Sequence, residues 1–170
     1  MLKKSMEKAL NQQINAELSS AYLYLSMSAH FQAMNLKGFA NWMRVQAMEE
    51  FTHADRLSAY VLDRGGRVQL MAIDSPPLTW ESALAVFQDT YRHEQKVTSL
   101  INDLVDLAIK EKDHATNNFL QWFVNEQVEE EANAEALVQQ LKLTGDAGPG
   151  LLMLDRELAQ RAFIPPAPAT

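Results

Sequence analysis

Four long stretches of this chain keep apolar residues at the three-and-four spacing of one helical face, and none sustains the period-two alternation of a strand. The first runs from about Ser5 to Met34 and ends near Asn35-Leu36-Lys37-Gly38. The second continues from Phe39 to about Asp63, where Gly65-Gly66 stops it as glycine at a helix C-terminus does. Thr79 is the predicted N-cap of the third, with Glu81 in its first turn opposing the helix dipole, and the run ends in Lys110-Glu111-Lys112-Asp113. The fourth runs from about Ala115 to Leu143 and stops at Gly145. The expected fold is all-α.

One connection decides the topology. The joints after the first and third helices are short and force antiparallel neighbours, but Arg67 to Leu78, with Pro76-Pro77, is long enough to span ~40 Å. A helix of this length is about as long at ~1.5 Å per residue. The spacing therefore predicts a four-helix bundle with a long crossover that brings helix three back parallel to helix two. After Gly145 a short helix places Leu151, Leu154, Leu158 and Ala162 on one stripe, which needs a partner on this bundle or on another subunit. The expected organisation is a four-helix unit over 1–145, a short helix of the same domain over 146–163, and a Pro-rich tail over 164–170, expected to be disordered.

Composition narrows the chemistry. With 170 residues, 47% of them hydrophobic, the chain can bury the core of a single domain. It has no cysteine, which excludes disulfides, thiolate zinc sites, iron–sulfur clusters and Cys nucleophiles, so any metal must be held by His and carboxylate. The 22 acids against 15 bases leave a net charge of −7 and no basic run to meet nucleic-acid phosphates. No apolar stretch has signal-peptide or membrane-spanning length, so the expected setting is cytoplasmic with no membrane partner.

The acids are in the wrong place for a simple core. At 100° per residue, Glu17 falls in the apolar stripe of Leu10, Ile14, Ala21 and Tyr24. Glu50 falls among Phe39, Met43, Ala47, Ala54, Leu57 and Val61, with His53 one turn on. Glu94 falls between Phe87, Tyr91, Thr98 and Ile101, and Gln127 among Leu120, Val124, Ala134 and Val138, with Glu130 one turn on. The spacing repeats: Glu17 to Glu50 is 33 residues, and so is Glu94 to Gln127. Adding 77 carries Glu17, Glu50 and His53 onto Glu94, Gln127 and Glu130, and Glu49 onto Glu126. Each half thus supplies one inward polar group plus an i, i+3 pair. Any one of these would be a misphased solvated face or an Arg-paired acid. Four helices agreeing point to a multivalent cation, because several buried carboxylates repel one another unless such an ion stands between them. Tyr24, two turns after Glu17, is close enough along the face to reach the same centre or simply to pack. His30, His93 and His114 lie outside the constellation and read as surface or hydrogen-bonded residues, and Trp42 and Trp122 as packing residues.

This is the general pattern of ferritin-like di-iron proteins. The stretches NQQINAELSSAYLYLSM, MRVQAMEEFTHADRL, YRHEQKVTSLINDL, NFLQWFVNEQVEEE and GLLMLDREL resemble those of bacterial non-heme ferritins, in order and over nearly the whole chain. The resemblance implies an iron-storage subunit that oxidises Fe(II) with dioxygen or peroxide and assembles into a hollow shell of 24 subunits. It implies one iron site from Glu17, Glu50 and His53, and a second from Glu50, Glu94 and Glu130, with Gln127 and Tyr24 beside it. A third would use Glu49, Glu126, Glu129 and Glu130. It also implies that the short last helix packs around the shell's fourfold axis. Heme-containing bacterioferritins resemble the chain too, but they carry Met where this chain has Phe51, which cannot ligate iron, so no heme is implied. They also carry a second Glu-x-x-His where this chain has Gln127-Val128-Glu129-Glu130. The departures leave one His-containing site beside a weaker one, which suits iron that passes through as substrate.

Overall fold

The computed structural model describes residues 2–145 and 148–165. Five helices follow in order: α1 Lys4–Ala33, α2 Lys37–Asp63, α3 Ala83–Glu111, α4 His114–Thr144 and α5 Pro149–Leu158. No described residue is in a strand, and no described helix is long and apolar enough to cross a membrane.

Hydrogen bonds give the topology. Ser20 meets His93 and Thr90 reaches Met27, so α1 and α3 run in opposite directions. Since α1 also reverses into α2 through the short Met34–Leu36 joint, α2 and α3 are parallel, as the crossover length predicts. The crossover lies along α1: Asn11 donates to the Arg67 carbonyl at 3.0 Å and Ser26 to the Pro77 carbonyl at 2.5 Å. At its start Gly65 takes a φ of +72° while the Gly66 N–H reaches back to the Val61 carbonyl at 2.8 Å, closing α2 with the left-handed turn glycine adopts without strain.

Two helix boundaries differ from the sequence reading. Helix α3 begins at Ala83, capped by Ser82, whose hydroxyl accepts from the Ala85 N–H at 3.1 Å, not at Thr79. Glu81 consequently precedes the helix. The Trp80 indole donates to Asp89 at 2.6 Å and fixes the chain outside the first turn. Helix α5 ends at Leu158, leaving Ala162 exposed, because the Asn41 amide takes the carbonyls of Leu158 and Arg161 at 3.2 and 2.9 Å. Its stripe of Leu151, Leu154 and Leu158 packs against Trp42, Met43, Leu137 and Leu141 of its own bundle. The partner that the seam requires is therefore intramolecular, and Leu152 and Met153 are what α5 leaves exposed. Asp155 anchors the helix by accepting from the Gly38 and Phe39 N–H groups at 2.8 and 3.0 Å, capping α2 from a distance in sequence. Of the Pro-rich tail, residues 166–170 lie outside the described residues.

The core is in two parts. One apolar cluster fills the end holding the α1–α2 joint and α5, including Phe31, Phe39 and Phe87. The other fills the α3–α4 end, with Leu10, Leu57, Ile101 and Phe123. Between them lies a layer of buried polar groups.

Candidate metal centre

That layer holds the predicted constellation. Glu17, Glu50, Glu94, Gln127 and Glu130 are all buried, as are His53 and Tyr24. Each comes from the inward stripe of its helix, so the same periodicity that builds the two apolar clusters delivers one polar layer between them.

The tightest grouping is Glu17, Glu50 and His53, one ligand atom from each lying within 4.8 Å of the others. Gln13 donates to one oxygen of Glu17 at 2.8 Å. The other oxygen of Glu17, and Oε2 of Glu50, are fully buried and meet no amide, hydroxyl or guanidinium donor among the described residues, so without a cation only a proton retained between the two carboxyls can satisfy them. His53 Nδ1 stands 3.6 Å from that Glu50 oxygen, and the ring is wedged edge-on against Trp122 and Phe123. Two orphaned carboxylate oxygens beside an imidazole are an incomplete coordination shell. A divalent cation fits it.

The remaining members of the constellation are engaged. Tyr24 donates its hydroxyl to one oxygen of Glu94, and Gln127 donates to the other at 3.2 Å. Glu130 accepts from the Gln46 amide at 2.6 Å. Glu94 and Glu130 do not join the tight grouping, yet both act on it electrostatically. Burial raises the Glu50 carboxyl well above the usual range, and the charges of Glu94 and Glu130 raise it further. Glu17 is raised well above its ordinary value by burial and then by Glu50. Glu94 is pushed up to about 8 by burial and by Glu130, against the opposing hydrogen bond from Tyr24. Burial, reinforced by Glu94, likewise holds Tyr24 in its neutral form. Near neutral pH the centre retains protons that a cation would displace.

Glu49, Glu126 and Glu129 line a separate open cleft of ≈ 410 Å³ beside His53 and Glu130, bounded also by Trp122, Arg161 and Ile164. Glu49 is pushed up to about 7, chiefly by burial, although Arg161 pairs with it at 2.5 Å. Glu126 is also raised, by burial first.

Among the residues set aside, His114 is exposed as expected and His93 is satisfied by Ser20 at 2.7 Å. His30 differs: it is half-buried edge-on to Trp80, and its Nε2 has no partner among the described residues. Tyr24 belongs to the centre through its bond to Glu94. Trp42 and Trp122 pack as read, each also carrying a guanidinium over its ring, Arg161 at 4.4 Å and Arg56 at 4.2 Å. Sequence reasoning missed Gln13, Gln46 and Arg161. The two glutamines had a signal, since each stands four residues before a member of the constellation on the same helical face. Arg161 had none.

The model of the ferritin-like domain family matches residues 7–144. The chain belongs to the ferritin family. It is 44% identical to a bacterial non-heme ferritin of Bacteroides fragilis over 95% of this chain and 100% of that one. It is 42% identical to one from Escherichia coli O6:H1 over 94% and 96% of the two. Among solved structures, an open-pore ferritin of the archaeon Archaeoglobus fulgidus superposes with a TM-score of 0.94 at 53% identity, over 95% of this chain and 100% of that one. A humanised archaeal ferritin superposes with a TM-score of 0.96 at the same identity, over 97% and 100%. The ferritin fold and the resemblance to bacterial non-heme ferritins are thus both borne out, α5 included.

Proposed function

We propose that this ferritin chain is a cytoplasmic iron-storage subunit that oxidises Fe(II) in the polar layer of its bundle and passes Fe(III) to the interior of a 24-subunit shell. The observation that carries the reading is the Glu17–Glu50–His53 grouping with its two orphaned carboxylate oxygens. Glu17, Glu50 and His53 hold one Fe(II); Glu50, Glu94 and Glu130, with Gln127 alongside, hold the second. Each Fe(II) gives up one electron. Dioxygen takes both with two protons to give hydrogen peroxide, or peroxide takes them with two protons to give two waters. Hard carboxylate oxygens favour the ferric state, which drives the electron transfer. Glu49, Glu126, Glu129 and Glu130, along the open cleft, provide a third position on the way out. No heme takes part.

The asymmetry of the layer supports iron as substrate and not as a fixed cofactor. The first position has the His53 imidazole and is incomplete without a cation, while the second draws on Glu94 and Glu130, carboxylates already hydrogen-bonded by Tyr24, Gln127 and Gln46. With no imidazole among its ligands and only the weak amide of Gln127 alongside, the second position holds its ion less tightly than the first. Self-assembly is supported by the apolar side chains the bundle leaves uncovered, among them Leu70 and Leu78 of the crossover and Met153 of α5, each at least 71% exposed. The unit over 1–145 would form the shell wall, with the 146–163 segment part of the same domain.

The test is to add Fe(II) in air and follow ferric absorbance together with particle mass. Storage requires a large complex that retains many more iron ions than two per chain. Uptake that stops near two per chain would mean a fixed-centre oxidase, and none would mean a metal-free bundle; either overturns the proposal. Within it, His53→Ala should slow the fast oxidation phase while leaving particle mass unchanged, and an unaltered rate would overturn the ligand assignment.

A further inference from the structure

Arg161 occupies an unusual position. It follows α5 and is held by that helix's docking, because Asn41 binds the Arg161 carbonyl at 2.9 Å and Asp155 is bound at the start of α2. Its guanidinium lies over Trp42 at 4.4 Å, donates to the Trp42 carbonyl at 3.3 Å and to Gln46 Oε1 at 2.9 Å, and pairs with Glu49 at 2.5 Å. The same Gln46 turns its amide to Glu130 at 2.6 Å. One cation therefore touches the carboxylate proposed for the exit position and, through a single glutamine, the carboxylate shared by the exit position and the buried second site.

We propose that Arg161 is a tethered cation standing in for the third metal ion beside Glu49, and that an arriving or departing divalent ion must displace it, which at the same time frees Gln46 and with it Glu130. A guanidinium and a metal ion compete for Glu49, since Arg161 already holds one of its oxygens and like charges at that distance repel. While Arg161 is seated, Gln46 is fixed by it and holds Glu130 by a hydrogen bond. Once Arg161 leaves, Gln46 can rotate and Glu130 is free to ligate. Arg161 is a positioning residue on this account, coupling occupation of the cleft to completion of the buried pair. The inference rests on the reading of Glu49, Glu126, Glu129 and Glu130 as a third metal position.

Calorimetric titration of the metal-free assembled protein with Zn2+, which binds carboxylate and imidazole without redox chemistry, tests it directly. Glu126→Gln identifies which binding event belongs to the cleft. In Arg161→Gln the cleft event should tighten about fivefold, the equilibrium equivalent of removing a partly exposed competing ion pair. In Asn41→Ala, where the charge remains but its tether is cut, it should tighten in the same direction by less. A cleft event present in the parent protein but unchanged or weakened in Arg161→Gln would overturn the role of Arg161 and leave the third position standing. Tightening in Arg161→Gln with none in Asn41→Ala would overturn the tether, leaving plain charge repulsion. No binding beyond two ions per chain in any of these proteins would overturn the third position and the inference with it.

Discussion

Replacing Glu94 by Gln should make the metal-free protein more stable, although it removes a proposed ligand. The Glu94 carboxyl is pushed from 4.5 to about 8 by its surroundings. An acid raised in the folded state binds more protons folded than unfolded, so folding loses stability as pH climbs from the unfolded value toward the folded one. From pH 4.5 to pH 7, at ~1.4 kcal/mol per pH unit, the loss is roughly 3 kcal/mol. Glutamine carries no such linkage, keeps the size of the side chain and can still accept from Tyr24, but its NH2 replaces the oxygen that accepts from Gln127, which offsets about 1 kcal/mol of the gain. Glu94→Gln should therefore melt higher than the parent at pH 7, by ~4–8 °C for a chain of this length. At pH 5 the gain should shrink below about 1 kcal/mol, because little of the titration has then occurred. The assay is thermal unfolding of chelator-treated protein at one protein concentration, at pH 5 and pH 7, since assembly makes the midpoint depend on concentration. With saturating Zn2+ the order should reverse, because the variant binds the ion less well. A metal-free variant that melts no higher than the parent at pH 7, or a gap that does not widen between the two pH values, would refute the argument that these acids are kept at the expense of folding.

The same linkage predicts that metal binding releases protons from Glu17, Glu50 and Glu94, whose carboxyls are all held above their ordinary values. Zn2+ affinity should rise from pH 6 to pH 8, and the apparent binding heat should change between buffers of different ionisation enthalpy; a buffer-independent heat would count against retained protons. At the other end of the bundle, a Cβ placed on Gly38 would run into the backbone carbonyl of Asp155. Gly38→Ala should unseat α5 and withdraw the Asp155 cap from α2, costing at least ~2 kcal/mol. Limited proteolysis between α4 and α5 should then accelerate, and an unchanged cleavage rate would show that α5 tolerates the methyl group.

What could be read in the sequence and what could not divide along a physical line. Inward polar groups are legible because a charged or polar side chain on an apolar stripe is costly wherever the helices end up, so Glu17, Glu50, Glu94, Gln127 and Glu130 could be named from spacing alone. The start of α3 was not legible: Thr79 and Ser82 are both competent caps, and the bond from Trp80 to Asp89 favours the second. Nor was Arg161, whose contacts with Gln46 and Glu49 depend on where α5 docks. The donors add a further asymmetry to the 77-residue repeat. Gln13 serves Glu17, Tyr24 serves Glu94 and Gln46 serves Glu130, all three from α1 and α2. Their counterparts 77 residues on, Thr90, Ile101 and Phe123, have no amide or phenol to offer. The first helix pair therefore supplies most of the hydrogen bonds that hold the acids of both. Glu50, like Glu17, is left with an oxygen that no amide or phenol meets, so once its proton is displaced its charge must be balanced by a cation. A carboxylate in that position is fit to bridge two ions, which is the role the family resemblance assigns to it.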